Sequence, residues 1–114
     1  MAEGDASVYA NWLVQKALGD GVLTKATSFD LSGHWQQLSM LGDSLRSCVS
    51  LTELDLSRNG LTSLEGLTML RSLRSLNVYY NVVGRLHEVD RLRVNTQLEV
   101  LDLDASPFLH LQRL

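Results

Sequence analysis

Leucine side chains recur at a fixed spacing through the middle of the chain. Between residues 61 and 76 they occupy every third position, in the set Leu61, Leu64, Leu67, Leu70, Leu73 and Leu76. Over that length the spacing fits neither an α-helix, with a period of about 3.6 residues, nor a strand, with a period of about two. The pattern predicts a coil that lays down one strand, turns, and returns through short helical or extended segments.

The chain also repeats its own sequence. Residues 54–59, Leu-Asp-Leu-Ser-Arg-Asn, return 22 residues later as residues 76–81, Leu-Asn-Val-Tyr-Tyr-Asn. Repeats of about 20–29 residues with this pattern are typical of leucine-rich repeats. Four strands are predicted around Phe29, Leu54, Leu76 and Leu101, with offsets of 25, 22 and 25 residues. We therefore predict an α/β fold, a short right-handed leucine-rich-repeat solenoid with parallel strands on its concave face.

A helix is predicted ahead of the repeats, over residues 7–18. Its predicted apolar stripe consists of Val8, Trp12, Leu13 and Ala17. Asp5 or Ser7 is the candidate N-cap. Gly19-Asp20-Gly21 would end the helix, because glycine adopts the left-handed conformation common at helix exits. A solenoid must shield its first repeat from water, so this helix is the predicted N-terminal cap.

These elements divide the chain into two parts. Residues 1–23 are the N-terminal tail and capping helix, and residues 24–114 are about four leucine-rich repeats, the last incomplete. We expect the C-terminal cap to be missing. The strand near residues 98–104 would then be an unpaired edge, and such edges favour self-association.

Polar side chains are predicted to hydrogen-bond to the backbone at the bends of the coil. Asn59 and Asn81 stand where the chain leaves a strand and turns inward. An amide side chain both donates and accepts hydrogen bonds, so it can satisfy the bend and bridge to the next coil. Cys48 is predicted to be a small buried filler, and Trp12 and Trp35 to be packing groups.

Composition and charge restrict the class of partner. A net charge of −3 argues against general nucleic-acid binding, which needs a basic excess. The chain has no apolar run of about 18 residues that would span a membrane. Its N-terminus lacks a basic stretch followed by an apolar one, and its one cysteine cannot form an internal disulfide. We expect an intracellular, soluble protein that binds neither nucleic acid nor membrane.

The outward side chains of the strands provide a candidate binding face. Across the strands the predicted rows are Asp30, Asp55, Asn77, Asp102; Ser32, Ser57, Tyr79, Asp104; and Gly33, Arg58, Tyr80, Ala105. Adjacent tyrosines beside an arginine are typical of interface anchors, and an acidic row favours a basic partner segment. The predicted protein-binding residues are Asp55, Arg58, Asn77, Tyr79, Tyr80, Asp102 and Asp104. Because Leu-Asp-Leu-Ser is common repeat consensus, simple solvation of the aspartates is the alternative.

Signals for chemistry are weak. Gly42-Asp43-Ser44-Leu45 matches a short signature of serine esterases, but no Asp-x-x-His block follows it. His34, His87 and His110 lie in different repeats without metal-ligand spacing. We predict no catalytic residue, cofactor or metal and therefore no enzyme, with a serine esterase as a remote alternative.

Three segments resemble one family of leucine-rich-repeat proteins. Residues 54–59, 63–67 and 76–81, continued by Glu88-Val89 and Arg91-Leu92, resemble the N-terminal repeats of the family that includes the 72-kDa centrosomal protein and a close leucine-rich-repeat relative. The resemblance covers roughly residues 24–103. It implies a cytoplasmic scaffold of the cytoskeleton at centrosomes or centriolar satellites. Such a scaffold would organise microtubules and the spindle and would bind a centrosomal or satellite protein.

Two observations leave alternatives open. The 22-residue repeat also occurs in phosphatase-regulatory and ciliary adaptors, which are the second functional interpretation. The fourth repeat reads Ser106-Pro107 where the family pattern has Asn-Pro, which weakens the last polar bridge.

Overall fold

Four short parallel strands, one from each repeat, form one sheet in the described part of the chain. The computed structural model describes residues 7–103. The strands are β1 (Ser28–Asp30), β2 (Glu53–Asp55), β3 (Ser75–Asn77) and β4 (Val100–Asp102), and they lie in sequence order. The register places Phe29, Leu54, Leu76 and Leu101 side by side, so the predicted offsets and the predicted solenoid are confirmed.

The core is the leucine ladder. The fully buried leucine side chains of the second and third repeats are Leu51, Leu56, Leu61, Leu64, Leu67, Leu70, Leu73 and Leu76. The spacing of three therefore marks inward positions, as predicted. Leu86 lies outside this ladder and is 62% exposed. The inward position on its helix is taken by Glu88, which is buried.

Helix α1 (Val8–Leu18) lies against the first repeat. It is the predicted helix, and it ends at Gly19, which has a φ of 63° and donates its N–H to the carbonyl of Gln15. The predicted apolar stripe was wrong except for one residue, Leu13. The buried face consists of Ala10, Leu13 and Val14, which join the same cluster as Phe29.

The outward face of α1 carries the residues that were expected inside. Val8, Trp12 and Ala17 are exposed. Trp12 packs against its neighbours on the same surface, with Tyr9 at 5.3 Å between ring centroids and the Lys16 Nζ 5.0 Å from its ring. Of the predicted N-caps, Ser7 makes no side-chain capping bond, and Asp5 lies outside the described residues.

The third repeat is longer than the second because it carries more helix. Helix α2 (Leu86–Asp90) runs directly into a 3-10 helix, Arg91–Val94, and another 3-10 helix, Leu23–Lys25, precedes β1. The extra length of the third repeat therefore includes this helical segment. Cys48 is fully buried as predicted, and burial raises the pKa of its thiol.

The C-terminal end of the repeat region is described only as far as residue 103. Residues 104–114 lie outside the described residues, so the missing cap, the unpaired edge and the Ser106-Pro107 bend stay predictions. Leu101 on β4 is 37% exposed, whereas the aligned Leu76 is buried. The division of the chain near residue 24 also stays a prediction.

The leucine ladder predicts the effect of truncating one of its members. Leu56→Ala should lower the free energy of unfolding by about 2–5 kcal/mol, because the lost methyl groups leave a cavity. Urea denaturation followed by circular dichroism measures this. The exposed Leu86 supplies the matched control, and Leu86→Ala should change stability by less than about 0.5 kcal/mol. Equal losses in the two variants would contradict the inward ladder.

Candidate protein-binding site

The bend after each strand is held by an asparagine. The Asn59 Nδ2 donates to the carbonyls of Leu31 and Leu56 at 3.0 and 2.9 Å, and its Oδ1 accepts the His34 N–H at 2.7 Å. Asn59 is buried, and its amide replaces the water that these backbone groups lose. The predicted bridge between coils is present, but it reaches back to the preceding repeat, not forward to the next.

The same arrangement recurs one repeat later. The Asn81 Nδ2 donates to the carbonyls of Leu56 and Val78, and its Oδ1 accepts the Leu61 N–H at 3.0 Å. A third amide, Asn95, was missed by the sequence reasoning. It is buried after the 3-10 helix and donates to the carbonyls of Leu67 and Leu70.

The acidic row predicted to bind a partner also ends the strands. The Oδ1 atoms of Asp30, Asp55 and Asn77 each accept the backbone N–H two residues further on, at 3.0, 2.9 and 2.9 Å. In Asp30 the hydroxyl and N–H of Ser32 both donate to the carboxylate and lower its pKa. One oxygen of each side chain thus closes the turn, and the row has a structural role in addition to any binding role.

The residue three positions after Asp30, Asp55 or Asn77 has a left-handed backbone in each of three successive repeats. The φ angles are 82° at Gly33, 58° at Arg58 and 61° at Tyr80. Glycine adopts this conformation freely, whereas other residues are strained in it by about 1–3 kcal/mol. Arg58 and Tyr80 are both exposed, so the strained bend holds their side chains at the surface.

Three rings and one guanidinium form a continuous aromatic cluster at this bend. The Arg58 Cζ lies 5.4 Å from the Tyr79 ring, whose centroid is 5.9 Å from that of Tyr80. The Trp35 ring lies 5.9 Å from Tyr80 and nearly perpendicular to it, at 89°. Tyr80 is 50% exposed and Trp35 54% exposed. We call Trp35, Arg58, Tyr79 and Tyr80 the aromatic cluster.

The inclusion of Trp35 corrects the sequence analysis. Trp35 was predicted to be a packing group, as was Trp12, yet each has about half of its surface exposed. Its own left-handed φ of 45° and its bridge to Asn59 place it in the bend of the first repeat. Gly33 was in a predicted outward row, and Trp35 follows it by two residues. That position was the sequence signal that could have identified Trp35 as a surface residue.

A groove of about 420 Å³ lies over the first three strands. Its outward polar side chains are Ser28, Asp30, Glu53, Asp55, Ser75 and Asn77. Asp102 on β4 aligns with Asn77 and extends the row. Ser57, which was predicted to point outward, is buried, and Asp104 lies outside the described residues.

The structure therefore brings the predicted site residues together as two neighbouring groups. Arg58, Tyr79 and Tyr80 contact one another in the aromatic cluster. Asp55, Asn77 and Asp102 share one row of the sheet.

A buried carboxylate was also missed. The Glu88 Oε1 accepts the Ser63 hydroxyl at 2.7 Å, the Leu64 N–H at 2.8 Å and the Arg91 Nε at 2.9 Å. It therefore ties the third repeat to the second on the outer side of the coil. Burial acts to raise the pKa of Glu88, but the hydrogen bonds from Arg91, Ser63 and Leu64 outweigh it and lower this pKa to about 2.

The esterase-like tetrapeptide sits in a bend of the first repeat. The Ser44 Oγ is buried and has no hydrogen-bond partner among residues 7–103. A nucleophilic serine needs a base within hydrogen-bond reach. His34 is instead bonded to the Tyr9 hydroxyl at 2.8 Å, and His110 lies outside the described residues.

Two negative observations apply to residues 7–103. In that range no group of three or more metal-ligating side chains is assembled. No helix there has the length and apolar character needed to cross a membrane.

The parallel strands, the leucine ladder and the asparagine bridges define a leucine-rich-repeat protein. Two solved structures share this fold. An internalin from Listeria monocytogenes has a TM-score of 0.65 at 24% identity and is matched over 74% of this chain and 23% of its own. An internalin C2 from the same organism has a TM-score of 0.60 at 19% identity, over 88% and 55%. No protein-family model matches the chain.

Sequence relatives narrow the class. The chain is 40% identical over 111 residues to the centrosomal protein of 72 kDa from Mus musculus. The aligned region covers 94% of this chain and 17% of that relative. The chain is 44% identical over 81 residues to leucine-rich repeat-containing protein 36 from Mus musculus, covering 70% and 11%. The chain thus has the leucine-rich-repeat fold, and its sequence is similar to a segment of each of these two relatives. It spans less than a fifth of either one's length.

The asparagine bridge predicts the effect of removing one amide. Asn59→Ala should lower the free energy of unfolding by about 1–3 kcal/mol, because it strands buried backbone groups of two repeats. Chemical denaturation measures the change. Asn11→Ala, at an exposed position of α1, is the matched control and should leave stability within about 0.5 kcal/mol of wild type. A neutral Asn59→Ala variant would show that the bend needs no amide.

The Glu88 network predicts a dependence on acid. Because the pKa of Glu88 in the folded state lies below its ordinary value of 4.5, its contribution to stability is present above that pH and is lost as the pH falls towards about 2. Unfolding free energies of wild type and Glu88→Gln, measured from about pH 6 to about pH 3, should therefore converge as the pH falls. Glu53→Gln, at an exposed position, controls for the loss of one charge. A gap between wild type and Glu88→Gln that does not change with pH would contradict the network.

Proposed function

We propose that the chain is a protein-binding module that holds a partner on the sheet face and the aromatic cluster. The contacting residues are Asp55, Arg58, Asn77, Tyr79, Tyr80, Asp102 and Asp104, together with Trp35. The observation that carries the proposal is the aromatic cluster itself. Its two half-exposed rings, Trp35 and Tyr80, contact each other, and Arg58 lies over the neighbouring Tyr79 ring.

The conformation of the bend supports a use for these side chains. Gly33 occupies the left-handed position of the first repeat without strain, yet Arg58 and Tyr80 occupy the same position of the next two. Folding alone favours glycine there. Tyrosine, tryptophan and arginine are the residue types that most often dominate the binding energy of interfaces.

The groove beside the cluster supports a basic segment on the partner. Asp30, Glu53 and Asp55 line it from two adjacent strands, and Asp102 continues the row. Hydrogen bonds from Ser32 lower the pKa of Asp30, which favours its charged form. Such a surface steers and orients a partner of opposite charge more than it adds affinity.

The sequence relatives support a place of action. Two of them, from mouse and from human, are named as the centrosomal protein of 72 kDa. We therefore propose a scaffold role at the centrosome and its cytoplasmic satellites, with one of their protein components as the partner. A contribution to microtubule organisation belongs to the same proposal.

The proposal predicts that one double variant loses both partner and location. A tagged chain should concentrate at the centrosome of cultured cells and retain a defined set of proteins after affinity capture. Tyr79→Ala combined with Tyr80→Asn should remove both, because the exposed rings are the anchors. Asparagine is chosen at position 80 because it tolerates the left-handed backbone better than alanine.

The control uses an aromatic residue on another surface. Trp12→Ala removes a side chain that is 50% exposed, as is that of Tyr80, but lies on α1. It should leave location and capture unchanged, and circular dichroism should show that both variants fold. Capture that survives the double substitution would refute the site. A wild-type chain spread evenly through the cell would refute the centrosomal role.

A further inference from the structure

An open cleft of about 440 Å³ lies beside the aromatic cluster, at the ends of the strands. Its walls are the side chains of Trp35, Tyr80 and Val82, each about half exposed. The cleft crosses three repeats, because Trp35 belongs to the first and Tyr80 and Val82 to the third. The floor between them is Gly60 of the second repeat.

At the floor of the cleft, Gly60 lets the first and second repeats approach each other closely. A Cβ built on Gly60 would approach the Gln36 Cα and the Trp35 carbonyl oxygen to 3.2 Å, so the repeats meet there backbone to backbone. The Trp35 and Tyr80 rings meet edge to face. They therefore form a corner that stays open, in contrast to a stacked pair that would close it.

Among residues 7–103 the lining carries no acidic side chain, lysine or arginine, and three of its backbone N–H groups are already hydrogen-bonded. Its lining residues in the described range 7–103 are His34, Trp35, Gln36, Gln37, Asn59, Gly60, Tyr80, Asn81 and Val82. The N–H groups of Trp35, Gly60 and Val82 donate to the carbonyls of Arg58, Leu38 and Leu61, respectively. At these three positions the donors left for a bound peptide are therefore side chains.

The polar groups at the walls complement a ligand that accepts hydrogen bonds. Among residues 7–103, neither the indole Nε1–H of Trp35 nor the hydroxyl of Tyr80 has a hydrogen-bond partner. Both can donate to a carbonyl oxygen, and the rings beside them provide apolar surface.

We propose that this cleft binds a proline-rich segment of the partner in the polyproline II conformation. The inference rests on the proposed function of the chain as a protein-binding module. A polyproline II segment exposes its carbonyl oxygens, and its prolines have no N–H that needs an acceptor. Its rings pack against aromatic side chains, and little entropy is lost because the helix is already formed.

The test uses Trp35 as its own reporter. The chain has two tryptophans, so Trp12→Phe leaves Trp35 as the only indole. Adding a decaproline peptide to this variant should shift the Trp35 emission to shorter wavelength until the site is saturated. A glycine-serine peptide of equal length should leave the emission unchanged.

Variants of the cleft then measure the contribution of each wall. Anisotropy of a fluorescein-labelled decaproline peptide should show that Trp35→Asn and Val82→Lys each weaken binding by about tenfold or more, as expected for loss of an anchor or insertion of a charge. Trp35→Phe keeps a ring and should lose less, and Trp12→Phe should bind as wild type. Circular dichroism confirms that each variant is folded.

Three outcomes would overturn the inference. One is a Trp35 emission that does not respond to decaproline, and another is binding that survives both Trp35→Asn and Val82→Lys. The third is a Trp35 response to an amphipathic helical peptide or to a lysine-rich peptide but not to decaproline, which would assign the cleft to that other ligand. If this inference fails while partner capture still depends on Tyr79 and Tyr80, the proposed function stands. Capture that survives the Tyr79 and Tyr80 double substitution would instead remove the proposed site itself.

Discussion

The structure depends on the hydrogen bonds that the backbone N–H and carbonyl groups make where each coil leaves the sheet. At that point the chain turns into an interior filled with leucine, and its carbonyl and N–H groups lose both water and strand partners. Asn59 and Asn81 solve this with the same three hydrogen bonds, two donated and one accepted. Each amide bonds to its own repeat and to the preceding one, so it closes a bend and joins two coils at once. Shorter or purely apolar side chains cannot do both.

The bend that these amides hold is also the surface proposed to bind a partner. The residues before these two asparagines, Arg58 and Tyr80, each have a left-handed backbone. The position is anchored from below by a buried amide, and its side chain points away from the core. Stability and display therefore come from the same turn. The cleft between Trp35 and Val82 follows from the same geometry, since it lies along the row of bends.

Some of this could be predicted and some could not. The strand register was predictable because aligned residues such as Leu54 and Leu76 obey one repeat, and repeats stack in register. The buried face of α1 was not predictable, since Val8 and Trp12 are as apolar as Val14 and only contact with the first repeat selects among them. Glu88 was missed because a carboxylate is expected outside, and its partner Ser63 lies a full repeat away.

By itself the sequence determined the class of fold, the inward ladder and the asparagine bends, because these follow from a period that any reader of the chain can measure. Tertiary structure alone decided which side chains outside the period are buried and which meet at the surface. Trp35 and Tyr80 are far apart along the chain, and their corner appears only when three coils are stacked. The physical reason is that periodicity reports the environment of a residue within its own coil, whereas a binding surface is built from contacts between coils.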